Sequence, residues 1–206
     1  MVDKTTNIKL LILKQYLSNY LAQYHVRELA KIIGKSHVTL LPHLNSLEEG
    51  KVLNQKKAGK NKIFSLNLDN PVTRNYILAA EGIETAKFLE QSFLIKKVFN
   101  DIFKLKLEGA IMLFGSYAKK TQKADSDIDI LYIGEISELQ TEYIKKAGQI
   151  YGKKINVKKT SAANFEDAIR KKDNLIIEII KNHIILQNAE MFVNTLWRYY
   201  NEIKTI

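Results

Sequence analysis

Cysteine is absent from the chain. Neither disulfides nor thiolate metal sites can therefore hold it together. No apolar run approaches the ~20 residues of a membrane span, and the first residues lack the pattern of a signal peptide. The expectation is a cytoplasmic protein with no membrane partner. There is no internal repeat and no low-complexity tract, which excludes a repeat architecture. Proline occurs twice, at Pro42 and Pro71. Acidic residues are outnumbered, 22 against 32 basic, leaving a net charge of +10. That balance points to an anionic partner, nucleic acid or nucleotide, and says nothing about the fold.

What is present is an ordinary globular composition, 46% hydrophobic and 26% charged over 206 residues. There is room for one large or two small domains. Residues 7 to about 22 read as a helix, with Ile8, Leu11, Ile12 and Tyr16 at helical spacing. Val26 to Ile33 reads as a second, stopped by Gly34. Ser36 offers an N-cap for a third helix running to about Glu49. The three-residue turn Gly34-Lys35-Ser36 has helix-turn-helix length. Two strands follow, Lys51–Lys57 and Lys62–Leu68, around the Gly59-bearing turn.

The segment VRELAKIIGKSHVTLLPHLNSLEEGKVL, continued by NKIFSL, resembles winged-helix transcription factors. The resemblance implies that the Ser36–Glu49 helix enters the major groove of duplex DNA and that the hairpin is the wing. Lys35, Ser36, His37, Thr39 and His43 are the candidate groove contacts. Lys56, Lys57, Lys60 and Lys62 are the candidate phosphate contacts. Residues 1–70 carry 11 basic and 5 acidic side chains, so +6 of the charge sits there. Pro42 departs from the pattern, because a proline past the first turn should kink the helix. A winged helix used for dimerisation or protein contact is the competing reading.

Asn70-Pro71 reads as an N-cap followed by proline at the first helical position. Helix is expected to about Leu107, interrupted near Gly82. Phe88, Phe93, Ile95, Val98, Phe99, Ile102 and Phe103 form an apolar stripe read as core. Ala110 to Phe114 is then an apolar run of strand length. Gly115-Ser116 allows a sharp turn against a phosphate. Ten residues later come Asp127 and Asp129, on one face of a strand whose other face holds Ile128 and Ile130. Paired carboxylates on an apolar strand call for cations, and Mg²⁺ shared with substrate phosphates meets that need. A helix from Ser137 to about Tyr151 should turn Leu139, Tyr143, Ile144, Ala147 and Ile150 inward. Lys154–Val157 reads as a third strand. Helices at 165–170, 174–181 and 190–203 follow, with a short apolar run at 184–186. Strands alternating with helices give an α/β sandwich.

Gly-Ser, ten residues and Asp-x-Asp, in GSYAKK and DSDIDIL, resemble the DNA polymerase beta-type nucleotidyltransferase superfamily, and its minimal nucleotidyltransferases in particular. The resemblance spans about residues 88–190. With it the fold expectation is α+β: a winged helix over 1–70, connecting helices over 71–107, and a nucleotidyltransferase domain with a mixed sheet and flanking helices over 108–206. It implies NMP transfer from an NTP to an acceptor, with Mg²⁺ or Mn²⁺ on Asp127 and Asp129. Gly115, Ser116 and Lys119 would hold the phosphates, with Lys120 and Lys123 as rivals to Lys119. Relatives have a third carboxylate on the third strand, and here that position is Asn156. Asn is neutral and cannot act as a base. No acidic residue occurs anywhere in 153–161.

Three functions compete: a transferase, a DNA-binding regulator that binds nucleotide with little or no turnover, and an assembly role. The acceptor stays open between a protein such as a partner toxin, an RNA end and a small molecule. A homodimer is equally allowed.

Overall fold

Residues 4–59 and 61–204 are described by the computed structural model, without the side chains of 4–7 and 58. The chain divides into two units, residues 1–81 with 196–206, and residues 82–195.

The first unit opens with α1 (Lys4–Lys14). Helical spacing predicts a longer helix, but from Gln15 the backbone tightens into i→i−3 turns, such as Tyr16 N–H to Leu13 C=O at 3.0 Å. Tertiary burial overrides the local period here. Tyr16 donates its hydroxyl to Phe64 C=O at 3.1 Å, and Tyr16 and Tyr20 are both buried. A three-residue strand that the sequence does not announce, β1 (Gln23–His25), leads into α2 (Val26–Ile33). Gly34 ends α2 in the left-handed region at φ 69°, as a glycine C-cap does. Ser36 caps α3 (His37–Glu49) by accepting the Thr39 N–H at 3.1 Å. The helix continues through Pro42.

Next come β2 (Leu53–Ala58) and β3 (Asn61–Leu66), whose pairing places Lys57 opposite Lys62. The sheet is antiparallel with order β1-β3-β2. Leu29, Leu40, Leu44, Leu47 and Phe64 are buried between sheet and helices. Tyr20 packs against Tyr200, with ring centroids 5.0 Å apart.

The second unit is a mixed α+β layer. It takes α4 (Pro71–Gln91) from Gly82 onward, since α4 passes through Gly82 unbroken. The break comes instead at Ser92, before α5 (Phe93–Phe103). The strands are β4 (Ala110–Phe114), β5 (Ile128–Ile133), β6 (Ile155–Thr160) and β7 (Ile184–Gln187). Their order is β6-β5-β4-β7, antiparallel except for the parallel pair β5/β6. Short helices α6 (Gly115–Ala118), α8 (Ala162–Arg170) and α9 (Asn174–Lys181) and the longer α7 (Glu138–Gln149) connect them, and α10 (Ala189–Ile203) follows. The parallel pair requires a crossover, and α7 supplies it.

Ser137 and Gln140 close a capping box at the start of α7. The helix faces the sheet with Ile144, Ala147 and Gly148, and leaves Leu139, Tyr143 and Ile150 exposed. The reason lies at Gly148. A Cβ there would collide with the Ile155 side chain and the Lys153 carbonyl, so only a small-residue face can approach this closely. On α5 the buried set is Ile95, Val98 and Ile102, while Phe93 and Phe103 are 70% and 60% exposed rather than core. No described helix is long and apolar enough to cross a membrane.

Candidate active site

The site is built at one end of β4, β5 and β6. β4 is buried along its whole length and ends at Phe114, which lies opposite Asp129 on β5. The chain then reverses at Gly115, φ 69°. Two independent facts require glycine there: the left-handed backbone, and a Cβ that would strike the Asp129 carboxylate. Asp127 and Asp129 are half-exposed while Ile128 and Ile130 are buried, so the strand's two faces separate carboxylates from core.

β6 lies beside β5 with Asn156 in register with Asp129. The Asn156 amide nitrogen donates to Asp127 Oδ2 at 3.2 Å and to Asp129 Oδ1 at 3.0 Å. Two carboxylates of one strand and an amide distant from them in sequence therefore meet at one point. The amide fills the position between two carboxylates that a cation would otherwise neutralise.

Lysines surround this point. The Lys154 ammonium lies 3.3 Å from Asp127 Oδ2. Lys153 reaches the Ala124 and Ser126 carbonyls and ties down the loop before Asp127. Sequence reasoning did not single out either lysine. Their signal was the Lys153-Lys154 doublet immediately before the third strand. Of the three phosphate-binding candidates, Lys119 pairs with Glu178 at 2.6 Å and holds that carboxyl below the usual carboxylate range. Lys120 donates to Gln91 at 2.9 Å, and Lys123 uses its backbone N–H on Ser126. Ser116 follows Gly115 in α6 and is half-exposed. An open cleft of about 1000 Å³ begins at Asp129 and Asn156 and runs along residues 152–158, with Lys145 and Gln149 of α7 also lining it.

The donor set fits one Mg²⁺ completed by triphosphate oxygens, since that ion commonly takes one or two carboxylates plus phosphates. It does not fit a protein-only cage: no group of three or more His, Cys, Asp or Glu side chains suited to a metal occurs among the described residues.

Residues 94–186 match the family model of the nucleotidyltransferase domain. The matched segment contains Gly115, Ser116, Lys119, Asp127, Asp129 and Asn156. No curated protein matches the chain. One solved structure, described as "Crystal structure of the toxin-antitoxin with AMP-PNP", aligns at 19% identity over 50% of this chain and 87% of its own, with a TM-score of 0.34.

In the first unit, Lys35, Ser36, His37 and Thr39 are exposed at the start of α3, and His43 is half-buried one turn further on. The Thr39 hydroxyl lies 2.8 Å from that of Ser36, so both belong to the helix cap. Lys56 and Lys57 are exposed on β2 and Lys62 is half-buried on β3, while Lys60 lies outside the described residues. His37 and Lys62 share a cleft of about 430 Å³ with Arg27, which sequence reasoning passed over.

Proposed function

We propose that the matched segment binds an NTP with Mg²⁺ or Mn²⁺ and moves its NMP to an acceptor, and that the first unit is a winged helix that binds duplex DNA. The observation that carries the transferase reading is the meeting of Asp127, Asp129 and Asn156 beside the Gly115 turn. Asp127 and Asp129 are the ion's ligands. The Gly115 backbone and the Ser116 hydroxyl hold the β and γ phosphates, and Lys119 joins them by exchanging Glu178 for phosphate. When bound, the ion offsets phosphate charge and polarises the bond to be broken. What the chain supplies is position and charge, which is most of what phosphoryl chemistry asks of a protein.

Asn156 favours a second reading. It cannot take the acceptor's proton, and its amide already occupies both carboxylates. A DNA-binding regulator that binds nucleotide with little turnover would keep this site unchanged.

Asp127→Asn combined with Asp129→Asn in the full chain should abolish Mg²⁺-dependent NTP binding in calorimetry, with the thermal transition retained. Equal binding by this variant and wild type would refute the site. Metal-dependent NTP consumption selects the transferase; saturable binding without consumption, altering DNA affinity, selects the regulator.

A further inference from the structure

β6 is an edge strand. Its inner side pairs with β5 from Ile155 to Thr160. Among the described residues no backbone group bonds its outer side. Which groups face outward follows from two hydrogen bonds. Ile128 N–H donates to Lys154 C=O and Gly134 N–H to Thr160 C=O, both at 2.9 Å. The backbone groups of a strand alternate in direction, so residues 154, 156, 158 and 160 turn theirs toward β5. Ile155, Val157 and Lys159 turn theirs outward. The cleft runs along the same strand: Ile155, Asn156, Val157 and Lys158 of β6 line it, together with residues 152–154 just before the strand.

We propose that this edge is the acceptor track: an extended, acidic polypeptide segment pairs with β6 and presents a Ser, Thr or Tyr hydroxyl beside Asn156. The proposal rests on the transferase reading above and names its acceptor class. Polypeptide is preferred because only a peptide backbone matches alternating N–H and C=O groups. The charges agree. Lys145 is paired with Glu142, Lys154 with Asp127, and Lys153 with two carbonyls, whereas Lys158 has no ion pair among the described residues. Few cations are free, which suits scattered carboxylates better than a phosphate at every nucleotide. Asn156 lies on this strand and touches both carboxylates, so a chain on this edge passes the transfer point. In the transfer, the hydroxyl oxygen forms a bond to the α-phosphorus. The bond from that phosphorus to the bridging oxygen breaks, pyrophosphate leaves with the electron pair, and the hydroxyl proton passes to water.

The test uses the full chain and a synthetic peptide of about seven residues, a usual strand length, with Glu alternating with Val around a central Tyr. Amide exchange by NMR should show Ile155, Val157 and Lys159 gaining protection with peptide, while Asn156 and Lys158 are protected throughout. Val157→Pro removes one outward donor, a change an edge strand tolerates. It should weaken the peptide about three- to tenfold, the worth of one net hydrogen bond. Lys158→Glu should weaken it too by charge reversal, leaving the backbone untouched. MgATP binding should survive both. No protection at the three amides, or peptide binding that both variants leave unchanged, overturns the proposal, as does displacement of the peptide by a single-stranded oligonucleotide at equal charge. Loss of NTP binding in wild type would instead refute the transferase reading while the exchange result stands.

Discussion

Asn156 carries a charge argument that a carboxylate would reverse. In Asn156→Asp, a third carboxylate would stand where the amide now reaches both aspartates, and close like charges disfavour the ionised form. The variant should melt lower than wild type without divalent metal and recover when Mg²⁺ is added, a shift read by calorimetry at neutral pH. With acceptor and metal present, a positioned base should raise transfer by ~10²-fold or more. A fast wild type that the variant does not improve would mean that another residue takes the proton. The family resemblance, matched to Ile155-Asn156-Val157, points to Asn156 as the residue at the third-carboxylate position, and the structure puts its amide on both aspartates. The sequence could not show that Lys154 lies on Asp127 or that Lys119 lies on Glu178. Both pairings join residues far apart in sequence, and no local pattern encodes them.

Most elements read from periodicity came out near where expected, but α1 stops at Lys14 and α4 runs unbroken through Gly82, and orientation did not always follow. Ser36, Gly34 and Ser137 bracket helices by local hydrogen bonding, which sequence carries in full. Apolar periodicity marks which residues can be buried. It does not say which will be when close approach at Gly148 governs the fit, and so Tyr143 and Ile150 face outward. α5 makes this testable. Ile102→Ala should cost about 2–5 kcal/mol as a buried truncation, and Phe103→Ala, one residue on, should stay within about 0.5 kcal/mol. Urea titration of both variants decides it. On the β2–β3 hairpin, Lys56→Gln with Lys57→Gln in the full chain should lower the log–log salt slope of DNA binding by about 0.9 for each phosphate that the hairpin no longer neutralises. An unchanged slope would remove the hairpin from any DNA interface.

At the scale of the whole molecule, buried tyrosines set the alkaline limit. Burial, and then the neighbouring Tyr199, push the Tyr200 hydroxyl up to about 12. Burial raises Tyr16 and Tyr20 as well. A folded-state value above the unfolded one, near 10, gives stability that is full below pH 10 and lost as pH rises toward 12. Melting temperature should therefore hold to about pH 10 and then fall, and Tyr200→Phe should soften that fall. All three tyrosines lie in the first unit, which is also discontinuous: residues 1–81 share it with 196–206, and Tyr20 packs on Trp197 and Tyr200. On the ribosome this is a matter of timing. At about 5–20 residues per second, residues 82–195 take on the order of ten seconds to make. For that interval the first unit has emerged without α10, and Tyr20 has no aromatic partner from that helix. The second unit is contiguous and meets no such delay. A stalled chain ending before Leu196 should thus carry a protease-resistant second unit and a first unit still open to cleavage.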